Sequence, residues 1–195
     1  MDISFLQVIE FIAVVSGITH VYLLTREKVI AWPFGLLSVS LYIYIFGVSH
    51  LYSDAILHVV YVVLNIYGWW NWSRRDPLAP ALPVSRFGPT ERWGYPLLIG
   101  LGFVVWGYLM ANNTNADFPY GDAFTTVASL VAQFLLARKK LENWIIWIVV
   151  DLVAIVIYSL KGLYLTTFLY GVYLLLSAKG LYDWRRSYLQ ESPGH

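Results

Sequence analysis

Apolar residues run along this chain in seven long blocks separated by short polar breaks, at 5–24, 30–48, 54–73, 93–111, 122–137, 143–160 and 163–184. A helix that crosses the hydrocarbon core of a bilayer needs about 20 mostly apolar residues, so the pattern predicts an all-α integral membrane protein with seven transmembrane helices. The first block has no positive segment before it and six more blocks after it, so it is expected to stay in the mature protein rather than act as a cleaved signal. The longest polar break, 73–92, carries Pro77, Pro80, Pro83 and Pro89. Proline at that density cannot sustain a helix, and the segment reads as an extended linker.

Charge sets the direction of the spans. Cytoplasmic loops are enriched in lysine and arginine, and Arg26, Lys28, Arg74, Arg75, Arg86, Arg92, Arg138, Lys139, Lys140, Arg185 and Arg186 all fall on one side of the seven-span alternation. Lys179 lies near the same end of the last span, and Lys161 is left for the other face. The amino terminus is therefore expected outside and the carboxyl terminus in the cytoplasm.

A gap-free internal match appears at an offset of 112 residues, with Trp32 on Trp144, Gly68 on Gly180 and Trp72 on Trp184. Arg26 meets Arg138, Lys28 meets Lys140, Leu51 and Tyr52 meet Leu163 and Tyr164, Tyr61 meets Tyr173, and Glu10 meets Asp122. Each repeat holds three spans, an odd number, so one further span must cross between them if both are to run in the same direction. The expected architecture is 3+1+3: a first repeat over 1–76, a proline-rich cytoplasmic linker over 77–92, a linking helix over 93–116, a second repeat over 117–188 and a tail over 189–195. Parallel repeats of this kind recur in transporters, with the substrate near the midplane where the repeats meet.

Ionisable groups at membrane depth are costly and mark candidate function. Trp144, Trp147 and Asp151, at i, i+3 and i+7, share one face of the sixth span, and a carboxylate beside indole faces suits an electron-poor or cationic aromatic ligand. In the third span Asp54, His58, Tyr61 and Asn65 form a second polar stripe, whose mates at +112 are Thr166, Tyr170, Tyr173 and Ser177. These two faces are expected to line one aqueous cavity. Glu10, Asp54 and Asp122 read instead as carboxylates at outer helix starts, and Trp69, Trp70, Trp72 and Trp184 as an interfacial belt.

Composition narrows the classes. Hydrophobic residues make up 58% and charged residues 13% of the 195, which excludes an ordinary soluble enzyme, and a net charge of +1 gives no basic surface for nucleic acid. There is no cysteine, hence no thiolate chemistry. His20, His50, His58 and His195 show no metal-ligand spacing, and neither a P-loop nor a GxSxG motif is present. An enzyme is not expected, and no cofactor or metal is called for. A seven-helix photoreceptor would need a lysine in the middle of the last span, whereas Lys179 lies toward its inner end, and an intramembrane enzyme would have His58 with Asp151 as its sole catalytic pair.

At WPFGLLSVSLYIYIF, LYSDAILHVVYVVLNIYGWWNW and ENWIIWIVVDLVAIVIYSLKGLYLTTFLYGVYLLL the sequence resembles the PnuC family of bacterial vitamin transporters. The resemblance implies a 3+1+3 fold similar to SWEET carriers, a homotrimer in the bacterial inner membrane, and nicotinamide riboside as substrate. It also implies facilitated diffusion, made one-way by a cytoplasmic kinase that phosphorylates the vitamin. Where riboside carriers of the family show asparagine in span two, glutamine in span three and asparagine in span six, this chain has Ser38, His58 and Asp151. The thiamine-carrying PnuT branch shares the fold, so thiamine or another nucleoside-like vitamin is the alternative substrate.

Overall fold

The computed structural model describes residues 3–74, 82–114 and 116–191. Seven helices account for nearly all of them: α1 (Ile3–Thr25), α2 (Ala31–Val48), α3 (Tyr52–Ser73), α4 (Pro89–Asn113), α5 (Pro119–Ala137), α6 (Asn143–Leu160) and α7 (Tyr164–Glu191). Among the described residues there is no strand, and the single β-type contact is an isolated parallel bridge between Ser85 and Lys140. Even the shortest helices, of 18 residues, extend about 27 Å at about 1.5 Å per residue, close to the roughly 30 Å of a bilayer core.

Five helices combine the length and hydropathy of a membrane span: α1, α2, α4, α5 and α6. The other two are long enough, at 22 and 28 residues, but are more polar: α3 carries Asp54, His58, Asn65 and Asn71, and α7 carries Lys179, Asp183, Arg185 and Arg186. Helices with a polar stripe of this sort suit a protein interior or an aqueous path better than lipid on all sides.

The chain divides into two units, residues 1–83 and 84–195. In the first, α2 packs against both α1 and α3; in the second, α5 packs against α4 and α6, and α7 packs on α6. The turns within each unit have the same construction 112 residues apart. After α1, Lys28 N–H donates to Leu23 O (3.1 Å) and Glu27 N–H to Leu24 O (3.0 Å); after α5, Lys140 N–H donates to Leu135 O (3.0 Å) and Lys139 N–H to Leu136 O (3.0 Å). This is the Schellman closure, in which the pivot residue takes a left-handed conformation, and Glu27 and Lys139 do so at φ 54° and 52°. The turns after α2 and α6 repeat the motif on His50 and Gly162, at φ 59° and 71°. Glycine holds one of these four pivots; three side chains accept the left-handed backbone because the closing hydrogen bonds satisfy the end of the preceding helix.

A tryptophan lock recurs in the same way. Trp32 from α2 meets Trp72 of α3 edge to face at 5.2 Å and 88°, and Trp144 from α6 meets Trp184 of α7 at 5.4 Å and 89°. Gly68 and Gly180 lie directly beneath these indoles, so close that a methyl group at either would overlap the ring. All four tryptophans are buried. Trp72 and Trp184 are thus helix-packing residues and not the interfacial belt expected of them; Trp69 and Trp70 do face outward, with the Arg74 guanidinium 3.5 Å above the Trp70 ring.

In the second unit the end of the linker straps α4 to the α5–α6 turn. Ser85 N–H donates to Lys139 O (3.0 Å), and Leu141 N–H donates to Ser85 O (2.8 Å). Phe87 N–H donates to the Glu142 carboxylate (3.1 Å), and Lys140 Nζ reaches Glu91 at 2.6 Å. Pro89 opens α4 at its first turn, where its missing N–H costs nothing, and the Glu91 carboxylate accepts from Gly88 N–H (2.9 Å). The helix therefore begins four residues before the apolar block, and Pro77 and Pro80 of the proposed linker fall outside the described residues.

Candidate functional site

In the second unit α6 presents Trp147 and Asp151 one turn apart on the face that carries Trp144. Asp151 is 2% exposed, and Ser177 of α7 donates its hydroxyl to Asp151 Oδ2 at 3.0 Å. A carboxylate has about four acceptor positions on its two oxygens, so one hydrogen bond leaves this group with most of its accepting capacity. Trp144 is spent on the lock with Trp184 and Gly180, whereas Trp147 is half-buried. Further along the same helix pair, Tyr158 stacks on Tyr170 (5.3 Å, 16°), and Tyr170 meets Tyr173 edge to face at 6.2 Å.

The first unit carries an aromatic cluster at the corresponding positions, Phe46, His58 and Tyr61 in place of Tyr158, Tyr170 and Tyr173. His58 lies 5.0 Å from Phe46, 5.5 Å from Tyr42 and 5.6 Å from Tyr61, ring centre to ring centre. Its Nδ1 lies 2.9 Å from Asp54 O. A carbonyl only accepts, so Nδ1 carries the proton in this bond and, in the neutral ring, Nε2 is the acceptor. Asn65 is buried and donates from Nδ2 to Tyr61 O at 2.8 Å. The structure therefore gathers His58 and Tyr61 into one cluster, with Asn65 tied to Tyr61 through the backbone. Ser38 is engaged elsewhere, donating to Ala13 O at 2.8 Å and pinning α2 to α1.

The other expected carboxylates resolve differently. Asp122 sits in the first turn of α5 and pairs with Lys161 at 3.4 Å, so its partner is an ammonium as well as a helix dipole. Asp54 lies in the first turn of α3. Glu10 is two turns into α1, which starts at Ile3, and is exposed; it is not at a helix start. Lys179 forms an ion pair with Asp183 one turn on. His20, weighed in the sequence only for metal-ligand spacing, is buried, its ring 5.7 Å from Trp32, with Nδ1 2.7 Å from Ala31 O. Among the described residues no three histidine, aspartate or glutamate side chains are grouped to hold a metal ion.

Long apolar helices, a buried carboxylate with spare hydrogen-bonding capacity and aromatic clusters on polar-striped helices define a multi-pass membrane transporter. Residues 7–186 match the family described as Nicotinamide mononucleotide transporter, and the chain belongs to that family. It is similar to the Nicotinamide riboside transporter PnuC of Escherichia coli strain K12, 28% identical over 92% of this chain and 85% of the relative. It is also similar to the Riboflavin/roseoflavin transporter RibM of Streptomyces davaonensis, 29% identical over 87% of this chain and 81% of that one. A crystal structure of the vitamin B3 transporter PnuC superposes with a TM-score of 0.76 at 25% identity, covering 94% of this chain and 83% of the other. The protein is a multi-pass protein of the inner membrane.

Proposed function

We propose that this protein carries nicotinamide riboside across the inner membrane by facilitated diffusion. The buried Asp151 carboxylate, one turn from the Trp147 indole, carries the reading. A positively charged pyridinium ring is attracted both to an indole face and to a carboxylate. Trp144 holds α6 on α7 and so fixes where Trp147 and Asp151 stand, Tyr170 and Tyr173 supply further aromatic surface in the second unit, and His58, Tyr61 and Asn65 supply aromatic and polar groups in the first. Ser38 serves indirectly, by fixing α2 on α1.

The riboside is favoured over the mononucleotide by charge. Helices α1, α2, α3, α5 and α6 contain no lysine or arginine, and a phosphate dianion calls for such groups along its route. The aspartate would repel it. The similarity to a riboflavin carrier and the cation-accepting carboxylate make riboflavin and thiamine the second readings, to be tested beside the riboside.

The recurrence of turns and tryptophan locks at 112 residues supports a 3+1+3 arrangement, with α4 as the linking helix and with α3 and α7 crossing the membrane as well, as the third and seventh spans. The charge asymmetry supports an amino terminus outside. The family resemblance supports a homotrimer, with capture of the riboside by a cytoplasmic kinase giving the direction of net uptake. Binding calorimetry on the purified protein with nicotinamide riboside, its mononucleotide, thiamine and riboflavin is the test: tightest binding of the riboside is expected, and tightest binding of the mononucleotide would overturn the charge argument.

A further inference from the structure

The two units differ at three positions on neighbouring helices. Where the second unit has Ala132, Trp147 and Ser177, the first has His20, Gly35 and Asn65, each 112 residues earlier. An imidazole has replaced a methyl group on one helix, and an indole has been removed from the next. The exchange brings the His20 ring and Asn65 together over Gly35, where a methyl group would overlap both. A swap made for packing alone needs apolar side chains; this one installs two polar ones, 8% and 2% exposed.

Their hydrogen bonds show which atoms are left. Asn65 Nδ2 donates to Tyr61 O, so its orientation is set and its Oδ1 points the other way; that Oδ1 is buried and has no hydrogen-bond partner among the described residues. His20 Nδ1 donates to Ala31 O, which leaves Nε2 as the acceptor of the neutral ring. The cluster therefore offers Asn65 Oδ1 and His20 Nε2 as acceptors, beside the second N–H of Asn65 Nδ2. Of the two, Asn65 Oδ1 is the buried acceptor without a partner, an uncommon state that calls for an occupant. The buried indole N–H of Trp32 is also unpartnered, but so is that of its twin Trp144, so it belongs to the shared lock. Asn65 has no such twin, because Ser177 is satisfied by Asp151.

We propose that His20 and Asn65, joined over Gly35, form a hydrogen-bond-accepting subsite in the first unit for the neutral donors of the transported vitamin, its hydroxyl or amide N–H groups. The inference rests on the vitamin-carrier reading above. His20 and Asn65 are the specificity-determining residues of this subsite, and they select for polar donors.

The test uses the variants His20→Ala and Asn65→Ser, which install the residues the second unit carries at these positions. Calorimetry on the full chain in detergent is run with nicotinamide riboside and with analogues that each lack one hydroxyl or carry a dimethylated carboxamide. The wild-type protein is expected to lose roughly 10-fold in affinity for at least one analogue, the scale of one hydrogen bond. Each variant should bind the parent riboside roughly 10-fold more weakly and show little further loss for that same analogue. Variants that bind the riboside like the wild type, or that keep the full analogue penalty, would overturn the subsite and leave the cluster as packing. Failure of the wild type itself to bind the riboside is a separate result, and it would overturn the carrier reading on which the subsite depends.

Discussion

Replacing Asp151 separates a ligand-binding carboxylate from one that merely ties helices together. In Asp151→Asn the side chain keeps its shape, and its carbonyl can still accept from the Ser177 hydroxyl that now donates to Oδ2 at 3.0 Å. The helix contact survives, and the change falls on the charge. Hydrogen bonds to charged groups contribute about 1.5 to 3 kcal/mol against about 0.5 to 1.5 for neutral ones, so the loss of charge should weaken riboside binding by about 1 to 2 kcal/mol. That corresponds to roughly 5- to 30-fold in Kd. In Asp151→Ala the Ser177 hydroxyl loses its carboxylate partner in a buried place, and stability should fall by about 1 to 3 kcal/mol. The assay is calorimetric Kd and melting temperature for both variants in one detergent. Weakened binding with near-normal melting for Asn, and lowered melting for Ala, is the expected pair of results. Unchanged affinity in the Asn variant, together with a large melting loss in the Ala variant, would refute the ligand-binding role and leave Asp151 as a packing group.

Gly68→Ala and Gly180→Ala each drive a methyl group into a buried indole and should lower stability by about 1 to 3 kcal/mol, whereas Gly171→Ala, with open space around it, should melt within a degree or two of the wild type. Equal melting of all three would show that the tryptophan locks do not hold the helices. For topology, cysteines replacing Asn113 and Arg92, at opposite ends of α4, are to be probed in intact cells with an impermeant thiol reagent; labelling at 113 and protection at 92 is expected, and the reverse would invert the orientation. Uncoupled transport predicts that liposomes equilibrate the riboside and stop, and accumulation driven by a sodium or proton gradient without a kinase would contradict it.

Hydropathy alone located every helix, and the bounds of α2 and α6 came within a residue of the apolar blocks that predicted them, because polar turns of the Schellman type close both ends sharply. Helix α4 was harder: its first turn, Pro89 to Arg92, is polar and reads as linker, yet Glu91 caps it and Lys140 braces it from 49 residues away. Such a brace leaves no mark in local composition. The tryptophans were misassigned for a related reason. Trp72 stands among residues that do face outward, and periodicity near a helix end cannot say which face meets a neighbour. The missed signal was the pairing itself: Trp32, Gly68 and Trp72 recur together at +112, and a glycine kept beside two indoles marks a close approach. His20 drew no role beyond the test for metal-ligand spacing because its mate is alanine, and comparison of the two halves by identity passes over the place where they diverge.

Recognition of nicotinamide riboside through Asp151 and Trp147 is tested most directly by uptake of labelled riboside into liposomes holding the purified protein, with the wild type and Asp151→Asn side by side. Rapid equilibration is expected for the wild type, competed by unlabelled riboside and not by the mononucleotide, with slower uptake at low substrate for the variant. Riboside uptake no faster than in protein-free liposomes, or identical uptake by both proteins, would contradict it.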